Sequence, residues 1–298
     1  VELVMARIVC IGEGMLELSR PAADWQLAYG GDALNTAIHL ARAGHDVAFL
    51  SALGTDPMSL AAKAAWRAEG VDTSLVLDHP KRHIGLYAVA TDARGERSFT
   101  YWRGETAARD MFALPSSETA WAAAAEADLI FFSLVSLAIL PPLGRARLLD
   151  LANAVRARSG RVAFDSNYRP QLWRGEENPV AAREAAIACA DLGLPTLDDE
   201  TALTGEGDPG GIAARWAQLG CAETVVKLGA AGCRIPGGKI IAPDRALDPV
   251  DTSGAGDAFN AGYLAARLQG ADLAAAAAAG NALAARTICY PGAIPPRP

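Results

Sequence analysis

The chain has 298 residues, 51% of them apolar, and a formal net charge of −7. That is material for one large α/β domain with a small appendage; the acidity argues against a nucleic-acid surface but leaves room for a local basic pocket. Five cysteines without a CxxC pair or nearby clustered histidines argue against zinc and fit reduced thiols in the cytoplasm, and no signal segment or apolar run of about 20 residues points to a membrane.

Residues 6–12 read as a buried strand ending in glycine, and 34–43 as a helix stopped by Gly44. Residues 47–54 read as a second strand and 58–69 as a second helix, closed by Gly70. From Ser74 to Arg103 the helical period is lost. There, residues 85–91 and 97–103 read as two strands around the turn Asp92-Ala93-Arg94-Gly95. Such a hairpin is either a lid extruded from the main body or a plain edge ribbon. Further core strands are expected at 129–134, 161–165, 190–194 and 224–227. Helices are expected at 143–159, 178–187, 210–219, 255–269 and 272–286. The alanine-rich run 271–279 fits the last of these, since alanine is the strongest helix former and small side chains permit close packing. The βαβα order predicts a largely parallel sheet covered on both faces.

The segment most suggestive of chemistry is Asp251-Thr252-Ser253-Gly254-Ala255-Gly256-Asp257, a glycine-rich turn running into a helix. The first N–H groups of a helix lack internal acceptors, and the helix dipole favours an anion there. Glycine lets that anion approach the backbone. Gly254, Ala255 and Gly256 are therefore candidate donors to a phosphoryl group. Asp257, in the first turn, is either an ordinary helix-stabilising residue or a base accepting a proton from an attacking hydroxyl. Asp251 is a weaker candidate for orienting a magnesium-bound water or a phosphate-facing group. No GxxxxGK[ST] loop is present, and Gly12-Glu13-Gly14 lacks the third glycine of a dinucleotide fingerprint. A second glycine pair, Gly30-Gly31, enters a helix carrying Asn35. It reads as a capped turn, or as a place where a polyol meets backbone at Gly31 and the Asn35 amide.

GGDALNTAIHLARAG (30–44) and DTSGAGDAFNAGYL (251–264) resemble, in order and separation, the two signatures of the ribokinase-like, or PfkB, sugar kinase family. The resemblance extends from residue 6 onward. It implies a three-layer α/β/α fold with a mainly parallel sheet and a small β lid. A single domain over residues 5–298 is expected, its lid contributed mainly by about 12–30 and 74–104. It also implies ATP as donor, magnesium, a catalytic base at Asp257 and an anion hole at Gly254, Ala255 and Gly256. A monovalent cation is left open. The segment Gly12-Glu13-Gly14-Met15-Leu16-Glu17-Leu18, together with GLYAVATDARGERSFTYWR (85–103), FDSNYRPQLW (164–173), TLDDE (196–200) and GAIP (292–295), is most similar to the branch acting on 2-keto-3-deoxygluconate.

By that resemblance Gly31, Asn35, Tyr87, Tyr101, Arg103, Asn167 and Arg169 line the acceptor site. A sugar acid suits arginine, whose fork binds a carboxylate at two points. A neutral sugar would leave buried guanidinium groups without a charge partner, which counts against fructokinase as the alternative. The nucleotide is expected near Thr196, Lys227, Gly229, Gly232, Gly254, Gly256 and Asn281. Leu228 stands where the family usually has arginine, and Asp199 is the indirect magnesium contact. A catalytically silent sugar-acid-binding regulator is the rival from another class. The expected partners are a sugar acid, ATP and a second copy of the chain, with neither nucleic acid nor membrane.

Overall fold

Strand Arg7–Ile11 has no polar side: Ile8 and Cys10 enter one apolar cluster while Val9 and Ile11 enter another. Successive strand side chains point to opposite faces, so such a strand must lie in a sheet covered twice. The computed structural model, which describes residues 6–19, 24–91, 97–173, 177–245 and 247–297, has this architecture. Its seven-stranded sheet runs Glu223–Thr224, Leu192–Gly193, Arg161–Asp165, Leu129–Ser133, Arg7–Ile11, Asp46–Gly54, Val76–His79, with every neighbouring pair parallel. Helices Asp32–Arg42, Pro57–Ala68, Ala255–Leu268 and Leu273–Thr287 contribute to the cluster on one face. Helices Ser117–Ala124, Pro142–Ala157, Pro179–Ala188 and Pro209–Gln218 contribute to the other.

The helices start where the chain supplies caps. Asp56, Asn178, Asp208 and Asp272 each accept a backbone N–H in the first turn; proline follows the first three, pre-setting φ. The alanine-rich helix packs closely on its neighbour: a Cβ on Gly262 would sit 2.8 Å from Ala279 O.

Two smaller sheets complete the fold. One orders Gln26–Gly30, Met15–Ser19, Gly85–Thr91 and Arg97–Trp102, antiparallel except for the parallel pair of Met15–Ser19 with Gly85–Thr91. The expected turn at 92–95 lies outside the described residues. The other joins Val226–Lys227, Cys233–Arg234 and Ile240–Ile241. The single strand expected at 224–227 is thus divided between two sheets, Val225 N–H still bonding Gly193 O. The strand expected at 190–194 is regular only at Leu192–Gly193, and Val76–His79 adds an edge strand inside the stretch read as hairpin alone. No helix among the described residues is long and apolar enough to cross a membrane. Cys10, Cys189, Cys221 and Cys233 are buried free thiols, and Cys289 is exposed.

Candidate active site

Strand order reverses between Arg7–Ile11 and Leu129–Ser133: the chain runs outward one way from the first and the other way from the second. In open parallel sheets, ligands bind beyond the carboxyl ends of the strands at such a switch. Here the residues following those ends are Gly12 and Glu13, then the Ser133 cap of helix Leu134–Ile139, and Asp165 with Asn167 from the next strand.

Helix Ala255–Leu268 points its N-terminus into this region. Gly254 caps it at φ 70°, a left-handed conformation, and a Cβ there would collide with Ala293. Both facts demand glycine. Asp251 accepts from Ser253 N (2.7 Å) and Gly292 N (2.8 Å), tying the turn to the C-terminal segment. His39 and Arg42 contact that segment too, at Ala293 O (3.3 Å) and Pro295 O (2.6 Å). Among the described residues no carbonyl accepts from Gly256 or Asp257 N–H, as the geometry of a helix start requires. The turn is a braced helix start of the kind that suits an anion.

Asp257 stands at its rim and keeps partial exposure. Asn35 Nδ2 donates to its carboxylate at 2.8 Å, and Thr36 Oγ1 to its carbonyl at 3.4 Å. Desolvation, reinforced by Asp32 and Asp165, holds the carboxyl well above the usual carboxylate range, against the Asn35 bond and the Lys227 charge. Such a group binds a proton near neutrality more readily than an ordinary aspartate.

On the acceptor side, Gly31 has φ 144°, and a Cβ there would overlap Glu13 O. Asp32 Oδ2 accepts from Asn167 Nδ2 (2.7 Å) and from Ser133 Oγ. Asn35 Oδ1 is buried and has no hydrogen-bond partner among the described residues. Tyr87 donates its hydroxyl to the buried Glu17, leaving oxygen lone pairs to accept. Tyr101 lies 5.9 Å from the Tyr87 ring, with the Arg103 guanidinium 5.7 Å above it.

The two arginines expected to favour a sugar acid carry carboxylate partners of their own. Arg103 is already paired with the buried Glu13, which Thr106 also bonds, and Arg169 pairs with Asp199 at 3.0 Å. Neither guanidinium is left uncompensated by a neutral ligand. The two pairs differ: Arg103 is mostly buried, while the Arg169 side chain is 43% exposed.

The expected nucleotide residues come from several elements. Asn281, donating to Ile241 O at 2.8 Å, lines a cleft of about 560 Å³ with Ala242, Arg245, Leu247 and Tyr290. Gly232 is packed against Ile241 O inside the three-stranded sheet, whereas a Cβ on Gly229 would meet nothing within 4 Å. Thr196 caps helix Leu197–Thr204 and bridges to Lys227. Lys227 is buried, bound to Asp165 (2.7 Å) and Asn260 (3.0 Å). Leu228 packs against the core. Asp199 is raised above its ordinary range by burial, while Glu200 beside it is buried in a two-point pair with Arg183. No cluster of three His, Cys, Asp or Glu suited to a metal occurs among the described residues.

Sequence reasoning assigned no role to Glu13, Glu17, Asp32, Ser133, Asp165 or Asn260. The available signal was a carboxylate at the end of an apolar strand, as at Asp165, or a polar residue on an apolar helix face, as at Asn260.

Residues 5–298 match the profile of the pfkB family carbohydrate kinases. The chain is 42% identical to the 2-dehydro-3-deoxygluconokinase of Dickeya dadantii, covering 97% of this chain and 96% of that one. It is also 42% identical to the enzyme of the same name from Escherichia coli K12, over 98% and 97%. A solved PfkB protein from Polaromonas sp. JS666 superposes with a TM-score of 0.83 at 30% identity, covering 96% of each chain. The chain belongs to the pfkB family of carbohydrate kinases.

Proposed function

We propose that this family member transfers the γ-phosphoryl group of ATP to the 6-hydroxyl of 2-keto-3-deoxy-D-gluconate, giving the 6-phosphate and ADP. The observation carrying the reaction type is Asp257: a carboxyl of raised proton affinity, oriented by Asn35, at the rim of unpartnered helix N–H groups. The acceptor is supported by two relatives of that name at 42% identity over nearly the whole chain.

The sugar acid sits between the small sheet and helix Asp32–Arg42, with Gly31, Asp32, Asn35 and Tyr87 meeting its oxygens. Its carboxylate lies against Arg103, with Arg169 released from Asp199 to meet it. Tyr101 and Asn167 complete the wall. The nucleoside of ATP occupies the cleft at Asn281, and the phosphates run past Gly229 to Gly254, Ala255 and Gly256. The 6-oxygen attacks the γ-phosphorus, its proton passes to Asp257, and the bond to the bridging oxygen of ADP breaks. The cradle N–H groups stabilise the charge spreading over the phosphoryl oxygens. Magnesium supplies charge neutralisation of the phosphates. Asp199 is the residue that would hold it, indirectly, beside the phosphates. The small sheet acts as the lid, excluding water and so suppressing ATP hydrolysis. The protein works in the cytoplasm, as its buried free thiols suit. It pairs with a second copy, as the exposed Leu27, Phe99 and Trp102 of the small sheet favour.

A neutral-sugar kinase is the second reading, because Arg103 and Arg169 both have carboxylate partners. A coupled ADP assay with 2-keto-3-deoxygluconate, its galactonate-derived epimer and fructose decides between them. The proposal expects the highest kcat/KM with one of the two keto-acids. A clear preference for fructose overturns it.

A further inference from the structure

Lys227 was expected to meet nucleotide, yet its ammonium is inside the protein. It donates to Asp165 Oδ2 at 2.7 Å and to Asn260 Oδ1 at 3.0 Å, while Asn260 Nδ2 donates to the same Asp165 oxygen at 2.7 Å. All three residues are buried. Desolvating an ammonium and a carboxylate costs several kcal/mol per ion before pairing. A closed triangle of hydrogen bonds recovers part of that and fixes the charge in one place. The place is the notable point. A Cβ on Gly256 would lie 3.6 Å from Lys227 Nζ, so the ammonium sits directly against the first turn of helix Ala255–Leu268. Asn260 belongs to that helix, one turn beyond Asp257.

We infer that Asp165, Lys227 and Asn260 form a positioning cluster that holds one positive charge beneath the catalytic turn and sets how readily Asp257 accepts the hydroxyl proton. The inference rests on Asp257 being the base. The groups acting on Asp257 come from every neighbouring element. Asp32 and the neutral Asn35 and Thr36 come from helix Asp32–Arg42, Asp165 from the central sheet, and Tyr87 from the small sheet. Lys227 is the cation in this set. Without it, Asp257 would face two carboxylates and bind its proton too tightly to be ionised when the sugar arrives. Lys227 thus acts through Asp257 and the cradle, and the 560 Å³ cleft that suits the nucleoside is lined by other residues.

The test is the acid limb of kcat/KM against pH in wild type, Lys227→Met, Asp165→Asn and the double variant, with folding checked by circular dichroism. The substrates are common to all four, so their own titrations cancel in the differences. Lys227→Met should move the limb up by about one pH unit and Asp165→Asn down by about one, the size of a single close charge. The double variant should return near wild type, and KM for the sugar should change less than kcat. Lys227→Arg, which keeps the charge, should leave the limb within a few tenths. If Lys227→Met does not fold, the downward shift in Asp165→Asn and the unshifted Lys227→Arg still decide. Limbs that stay fixed, or that move the same way in both single variants, overturn the inference. Asp257→Asn separates the two levels. Turnover near wild type there refutes the base itself. An inactive Asp257→Asn beside unresponsive limbs keeps the base and discards the cluster.

Discussion

On the proposed phosphate side of the site, one contiguous loop does most of the construction. Residues 251–257 supply the turn, the left-handed glycine, the candidate base, and the Gly256 and Asp257 N–H groups that no carbonyl among the described residues accepts. On the proposed acceptor side, Glu13, Asp32, Arg103, Ser133 and Asn167 come from separate parts of the chain and are linked by pairwise hydrogen bonds. Backbone N–H groups at a helix start need no partner to be poised for an anion. Guanidinium and carboxylate groups do, because burying them unpaired is costly. On the proposed reading the phosphate side stands ready as bare backbone, whereas the acceptor side would meet its ligand with its charges already paired.

The largest expected effect tests the phosphate side. Asp257→Asn should lower turnover about 100-fold or more with the fold intact, the usual size of a general-base effect. Steady-state kinetics with circular dichroism checks it, and near-wild-type turnover would remove the base. In the proposed mechanism the active form of Asp257 is the carboxylate, and its proton affinity is raised by desolvation, Asp32 and Asp165. Activity should therefore fall as pH drops, with a midpoint well above the value near 4 of an ordinary aspartate.

Arg103→Met should destabilise by about 3 kcal/mol, because it strands Glu13 buried without its cation. Urea denaturation reads this directly. Gly254→Ala forces a side chain into a left-handed position facing Ala293 and should cost on the order of 2 kcal/mol, with a loss of turnover as the cradle shifts. An unchanged midpoint would show that the turn is less tightly braced than its contacts indicate. The smallest stability effect belongs to Arg169→Met, under about 1 kcal/mol, since its pair with Asp199 is partly solvated. Its consequence should appear instead as a raised KM for the sugar acid. Equal destabilisation by the two arginine variants would erase the distinction between a built pair and a movable one.

Legibility in the sequence follows the same division. The helix start at Gly254 was readable because glycine, turn and acidic first-turn residue are neighbours in the chain. The parallel sheet was readable from short apolar runs alternating with helical periods. The short strands Leu192–Gly193, Glu223–Thr224 and Val226–Lys227 were blurred, because two-residue strands carry no period and are defined by pairing partners elsewhere. Tyr87 and Arg103 were noticed, but not their partners Glu17 and Glu13, which lie 70 and 90 residues away in sequence. Lys227 was noticed, but not its partners, since nothing local shows that a lysine after a strand turns inward to Asp165 and Asn260.

The sequence by itself determined the layered fold, the family resemblance and the glycine-capped helix start ahead of Asp257, because each depends on residue type and spacing along one stretch of chain. The tertiary structure alone decided which carboxylates neutralise Arg103, Arg169 and Lys227, and which charges surround Asp257. Those relations are set by Coulomb and desolvation energies that depend on distance in space and on burial, and neither quantity is carried by spacing along the chain.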